Sequence, residues 1–283
     1  MSERDEAQLS ECGEAQRASS FGRPLLYSGL LGSWVVAGAV FAGGRIPAWV
    51  LGTMLVTLIG IIALGVTAQR SGIFARPIVR VRTARPELAL TFDDGPDPIY
   101  TLPILDALEA HGHRGTFFLV GARAARHPEL VEQIVKRGHG LGNHTLRHSY
   151  FTTFLDPELL ARELSETTAL LAAASGHSIR WLRAPVGLLS PRVAEAARLA
   201  HLDLMAWTAT ARDGGPWASV ERGIARLEPV LLPGSILVLH DGVTARTRHS
   251  LALPILLGLF EELRAKGLRS VPIDRLLDPG PPS

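Results

Sequence analysis

Apolar positions along the chain fall into two regimes. Between positions 25 and 69 they run almost unbroken, with Arg45 the only charged side chain. Gly43-Gly44 and Ile46-Pro47 flank that arginine and divide the run into 25–44 and 46–69. Each piece is long enough to cross a hydrocarbon core of about 30 Å at about 1.5 Å per residue. Joined by a short turn, they predict a two-helix transmembrane hairpin, because only helices satisfy their own backbone groups in lipid. A single uncleaved anchor is the main alternative and a buried core helix a lesser one. A cleaved signal peptide fits poorly, since its apolar core spans about 7–15 residues near the start.

The second regime alternates. Strands are predicted at 87–94, 115–121, within 139–144, and at 181–186, 202–210, 235–242 and 268–273. Helical patterns separate them at 100–110, where Leu102, Leu105 and Leu108 share a face, then at 128–136, 156–174, after Ser190-Pro191, and at 218–231 and 251–265. Asp156-Pro157 supplies an N-cap and a first-turn proline. Such β/α alternation predicts an α/β protein built as a closed or nearly closed barrel. Chemistry in barrels sits at the C-terminal ends of the strands. Asp93-Asp94, His144, Arg183, Asp213 and His240-Asp241 all end apolar runs.

Charge changes the picture little. A net charge of +2 and a pI near 9.0 come from scattered arginines and from two lysines, Lys136 and Lys266, with no basic stripe interleaved with aromatics, so nucleic acid is not an expected partner. Cys12 is the single cysteine, which excludes an internal disulfide. Arg4, Arg17 and Arg23 precede the hairpin and Arg70, Arg76, Arg80, Arg82 and Arg85 follow it, against one arginine in the turn. The positive-inside rule then favours the cytoplasm for both ends. The arginines after the second span are also placed to meet anionic headgroups, at about 1 kcal/mol each. The expected organisation is a polar tail at 1–24, two transmembrane helices at 25–69, a basic linker at 70–85, a globular domain at 86–275 and a tail at 276–283.

Adjacent strand residues point to opposite faces, so Asp93 and Asp94 serve one pocket only from a strand end, where Gly95-Pro96 turns the backbone. Two acids at the end of a buried strand cost stability unless a cation meets them. His144 and His148 have the i, i+4 separation that puts two imidazoles on one side of a helical turn. One carboxylate and two histidines leave an open coordination position, as catalytic zinc sites do. Taken alone, such a histidine pair is more often a surface accident.

TFDDGP (91–96), RGTFFLVG (114–121), HTLRH (144–148), RAPVG (183–187), WTATARD (207–213) and LVLHD (237–241) resemble, in order and spacing, the motifs of the polysaccharide deacetylases, carbohydrate esterase family 4, whose domain is called the NodB homology domain. The resemblance covers about 86–275. It implies a distorted (β/α)7-type barrel, a divalent ion (usually zinc, sometimes cobalt or nickel), and hydrolysis of an N-acetyl, or less often an O-acetyl or N-formyl, group on a sugar. Carried over by motif, Asp94, His144 and His148 bind the ion, Asp93 is the general base and His240 the general acid. Arg183 tethers Asp93, Asp213 keeps His240 charged, and Arg114 pairs with Asp213. The Val186-Gly187 backbone is expected at the oxyanion and Trp217 near the substrate.

Val186 stands where the family has an aromatic, Gly214 where it has a tryptophan and Thr210 where it has an aspartate. With the hairpin, these departures favour a cytoplasmic lipid-linked sugar over an extracellular glycan polymer. The reading from another class is a catalytically silent, membrane-anchored carbohydrate-binding module. Asp241 is expected to cap the loop after its strand. His111, His113, His127, His139, His177, His201 and His249 are expected to be solvated, and Trp181 and Trp207 to lie in the core.

Overall fold

The computed structural model describes residues 14–18, 22–41, 47–215, 217–243 and 249–278. At its centre β3 (Glu87–Asp93) is buried along its whole length, the pattern of a parallel strand covered on both faces. It pairs in parallel with β4 (Gly115–Leu119) on one side and β9 (Ile236–His240) on the other. The sheet continues beyond β4 through β5 (Gly140–Asn143), β6 (Trp181–Leu182) and β7 (Asp203–Leu204), and beyond β9 to β8 (Ala209–Thr210). β10 (Arg269–Ser270) lies parallel to the start of β3.

The sequence pattern predicts one strand at 202–210, but the structure makes two. β7 and β8 form opposite edges of the sheet, and residues 205–208 cross between them. β2 (Ile78–Arg82) runs alongside this crossing. The Ile78 carbonyl accepts from the Ala206 amide at 2.8 Å, Thr208 Oγ1 donates to the Val79 carbonyl at 2.9 Å, and the Val81 amide donates to the Gly234 carbonyl at 2.9 Å. The fold is therefore a curled parallel α/β half-barrel whose open side is spanned by β2. Among the described residues the continuous strand pairing of a closed sevenfold barrel is not formed.

Leu90, Phe92, Leu105, Leu108, Phe117, Leu237 and Leu259 belong to the main core, each contributing about 1.5–3 kcal/mol by leaving water. A second cluster holds Ile78, Phe118, Trp181 and Met205. Trp181 is in the core as expected, with its indole N–H donating to Asp274 Oδ1 at 2.8 Å. Two histidines expected in solvent are buried instead. His139 Nδ1 accepts from the Gly115 amide and His113 Nδ1 from the Ser270 amide, both at the strand-start end of the sheet. Burial, followed by neighbouring charge, pushes His113 down to about 4 and His139 to about 3, so both are neutral.

Residues 78–82, inside the stretch expected as a linker, form β2, and β1 (Glu14–Arg17), inside the expected tail, pairs with it antiparallel. Several arginines expected at headgroups are bonded to the domain: Arg80 donates to the Pro233 carbonyl, Arg85 pairs with Glu87, and Arg70 donates to the Thr208 carbonyl. Two helices precede them, Gly22–Phe41 and Ala48–Thr67. Gly29 lets them approach, since a Cβ there would lie 3.0 Å from Ile61 Cδ1. Among the described residues only Ala48–Thr67 is both long and apolar enough to cross a membrane. Leu55, Val56, Ile59 and Ile62 on it are exposed. The expected hairpin turn, with Arg45, lies outside the described residues.

Candidate active site

β3 ends at Asp93, and the backbone turns at once. Asp94 takes a left-handed φ of 73°, so its carboxylate joins the same cavity as that of its neighbour instead of pointing to the opposite face. Arg123, which the sequence reading missed, fixes that turn. Its guanidinium donates to the Asp94 carbonyl at 2.7 Å and to the Val243 carbonyl at 2.6 Å. Gly242 packs beneath, where a Cβ would meet the Asp94 carbonyl oxygen at 2.2 Å.

The two motif histidines are not on a helix. After β5 the Asn143 side chain accepts from the Thr145 amide at 2.8 Å and donates to the Leu164 carbonyl, which holds 144–148 as a loop. Thr145 and His148 have positive φ. The i, i+4 spacing thus brings the imidazoles together by a loop and not by helical periodicity. His144 Nε2 lies 3.4 Å and His148 Nε2 3.0 Å from Asp94 Oδ1. His144 Nδ1 is 2.8 Å from the Arg183 carbonyl, so it carries the proton and turns the Nε2 lone pair toward Asp94.

One ligand atom from each of Asp94, His144 and His148 lies within 4.8 Å of the others. Asp94 Oδ1 is buried with no donor aligned on it. A buried carboxylate oxygen without a donor, facing two imidazole lone pairs, fits a divalent cation. Burial alone pushes the Asp94 carboxyl up, but the His144 imidazole beside it, with His240 and His148 beyond, holds it well below the usual carboxylate range. Burial, reinforced by His144, lowers His148 and keeps it neutral, the form that binds metal.

Asp93 has a different environment. Its Oδ1 accepts from Arg183 Nη1 at 2.7 Å, and both side chains are buried. The same guanidinium donates to Thr91 Oγ1 and to the Ala206 carbonyl and lies 3.9 Å over the Phe118 ring. Facing this pair, His240 Nδ1 is 2.7 Å from Asp213 Oδ1, and Asp213 Oδ2 accepts from the His240 amide at 2.9 Å. Burial opposes charge on His240, but the charge and hydrogen bond of Asp213 outweigh it and raise the imidazole to about 10. With Nδ1 engaged, Nε2 is left for the cavity.

Asp93, Asp94, His144, His148 and His240 line a cavity of about 280 Å³ together with Tyr150, Val186 and Trp207. Trp207, expected in the core, is a half-buried wall residue. Val186 sits at the rim with φ 56°, and Gly187 has φ 69°. Trp217 is 80% exposed and does not line the cavity. Arg114 does not reach Asp213: it precedes β4, at the far end of the sheet, and its guanidinium lies near Glu109 at 3.8 Å. Most of the loop that Asp241 is expected to cap, 244–248, lies outside the described residues. Asp241 is fully buried, its Oδ2 accepts from Thr101 Oγ1 at 2.7 Å, and burial, then the charges of Asp94 and Asp93, raise it to about 7.

The sequence profile described as polysaccharide deacetylase matches residues 80–205. A chitooligosaccharide deacetylase of Sinorhizobium fredii is 35% identical over 173 residues, 60% of this chain and 78% of that one. A peptidoglycan-N-acetylglucosamine deacetylase of Bacillus cereus is 34% identical over 192 residues, 67% of this chain and 87% of that one. Among solved structures, a family 4 acetyl xylan esterase from Clostridium thermocellum in complex with a cobalt ion aligns with a TM-score of 0.59 at 27% identity, over 67% of this chain and 89% of that one.

Proposed function

Because the chain belongs to the polysaccharide deacetylase family, we propose that it removes an N-acetyl or related acyl group from an amino sugar at a membrane, using a divalent ion held by Asp94, His144 and His148. The observation that carries this reading is the convergence of those three ligand atoms within 4.8 Å, between Asp93 with its arginine and His240 with its aspartate. A divalent ion in that cradle supplies Lewis acidity toward the acyl oxygen and the attacking water.

The chain's own residues do the proton work. Asp93, held in place by its ion pair with Arg183, takes a proton from water as the water oxygen attacks the acyl carbon. Val186 lines the cavity, and its backbone N–H is the donor assigned to the developing oxyanion. As the C–N bond breaks, the electron pair goes to nitrogen and the His240 imidazolium gives that nitrogen its proton. Acetate and the free amine leave. Asp213 keeps His240 protonated and aimed.

Zinc is the metal this donor set suits best, with cobalt and nickel as the alternatives. The helices Gly22–Phe41 and Ala48–Thr67 act as a two-pass anchor, with both ends of the chain on the cytoplasmic side as the arginine distribution favours. The decisive assay is release of acetate from acetylated amino sugars by the full chain with added zinc or cobalt, beside Asp93→Asn. An Asp93→Asn rate equal to wild type overturns the mechanism. A C-terminal reporter fusion active only in the periplasm overturns the orientation.

A further inference from the structure

We infer that the mouth of this cavity opens onto the surface of the bilayer that holds the helix pair, so that the acyl sugar is taken from a lipid carrier lying in that membrane. The inference rests on the deacylase and anchor readings above and deepens them. It starts from where the second helix leaves the domain. In its last turn the Val66 carbonyl accepts from the Leu189 amide at 2.9 Å. Just beyond, Gln69 packs so closely on Gly187 that a Cβ there would fall 1.5 Å from its Nε2. Both contacts fall on the loop after β6, the loop whose Val186 forms part of the cavity rim.

The same loop joins the helix root to an apolar surface. Ser190 Oγ donates to the Thr153 carbonyl and Arg192 Nη1 to the Phe154 carbonyl, each at 3.0 Å, which fastens the turn Tyr150–Phe154 beside it. That turn presents Phe151 and Phe154, each 73% exposed, and Val186 at 56% continues the patch to the cavity edge. Exposed apolar side chains gathered on one turn, more than ones scattered singly, mark a surface that meets something apolar. Exposed Arg147 and Arg192 flank them, the arrangement of a surface that dips rings between acyl chains and leaves cations at the headgroups.

A bilayer is the occupant that continuity favours. The patch adjoins the root of a helix whose Leu55, Val56, Ile59 and Ile62 already need lipid cover. Lipid reaching that root therefore also reaches Phe151, Phe154 and the cavity rim. An acyl sugar held on a membrane-embedded chain would arrive at the mouth already oriented, and a water-soluble polymer would gain nothing from the phenylalanines.

The test uses the full chain in vesicles of phosphatidylglycerol and phosphatidylcholine. In a Cys12→Ser background, an environment-sensitive fluorophore is placed at Phe151→Cys, with Glu132→Cys on a distant helix as control. Doxyl-labelled lipids should quench the first at least threefold more than the second, and equal quenching overturns the proposal. Intermolecular disulfides at Phe151→Cys in place of lipid quenching would mean that a second copy covers the patch, and would also overturn it. In parallel, Phe151→Ser/Phe154→Ser should lose about tenfold in turnover of N-acetylglucosamine carried on a membrane-embedded alkyl phosphate and keep its rate on soluble chitotetraose. Equal loss on both substrates, or loss on neither, overturns the proposal. If wild type hydrolyses neither substrate the deacylase reading has failed, and the quenching comparison alone decides the membrane contact.

Discussion

Asp93 and His240 stand level in the register of neighbouring parallel strands, each the last residue of its strand. The proposed proton acceptor and proton donor are therefore spaced by sheet geometry and not by a loop. Each is then set to its task by one buried partner, Arg183 for the acid and Asp213 for the imidazole.

Breaking the first of these pairs should cost stability as well as activity. Arg183→Met leaves Asp93 buried without its cation, a loss of about 3–5 kcal/mol for removal of one partner of a buried ion pair. Arg183→Met/Asp93→Asn should regain most of that stability and remain inactive. Urea denaturation of the two variants checks this, and a single variant as stable as wild type would show that the pair does not hold the domain together.

The second pair sets a pH dependence. His240 is raised to about 10 from an ordinary 6.5, so the stability it contributes is fully present below 6.5 and is lost as pH rises through about 10. The imidazolium proposed to donate to the leaving amine disappears over the same upper range. Asp213→Asn removes the charge that outweighs burial, so the alkaline limb of kcat against pH should move down toward neutrality. An unmoved alkaline limb would assign it to another group.

How much of this was legible in the sequence depends on whether the cause was local. β3 and the helix Pro157–Ser175 were, because an unbroken apolar run and an Asp156-Pro157 start act within their own segments, and Asp156 Oδ1 does accept from the Glu158 and Leu159 amides. The break between β7 and β8 was not, because 205–208 bend to reach β2, which is remote in sequence. The contact between His144 and His148 was anticipated for the wrong reason, since Asn143 and its bond to the Leu164 carbonyl shape the loop. Arg123 carried no local mark. Its two acceptors, at Asp94 and Val243, lie 29 and 120 residues away.

Arg123 gives a prediction separate from catalysis. It clamps the carbonyl of Asp94 while that residue's carboxylate faces the histidines. Arg123→Ala should therefore weaken retention of the divalent ion by about 10–100-fold, the usual cost of losing a group that orients a ligand. His144→Ala should bring the bound ion well below one per chain. Elemental analysis after titration with a competing chelator reads both, and wild-type retention by Arg123→Ala would limit the arginine to shaping the loop.

Asp241 supplies a pH signature of the same sign as that of His240, set in a lower pH range. Burial raises its carboxyl to about 7 in the folded chain against an ordinary 3.8, so the folded state binds that proton more tightly. Stability from this group is full below 3.8 and is lost as pH rises through about 7, at no more than about 1.4 kcal/mol per pH unit. Asp241→Asn cannot titrate and should lack this loss, so the difference in stability between wild type and variant should shift in the variant's favour from pH 5 to pH 8. Gly95→Ala should lower stability at both pH values, because its Cβ would lie 2.3 Å from Asp241 Oδ2 whatever the protonation. Thermal unfolding at the two pH values separates these effects, and a difference between wild type and Asp241→Asn that does not change with pH would mean that the carboxyl is ionised in the folded protein.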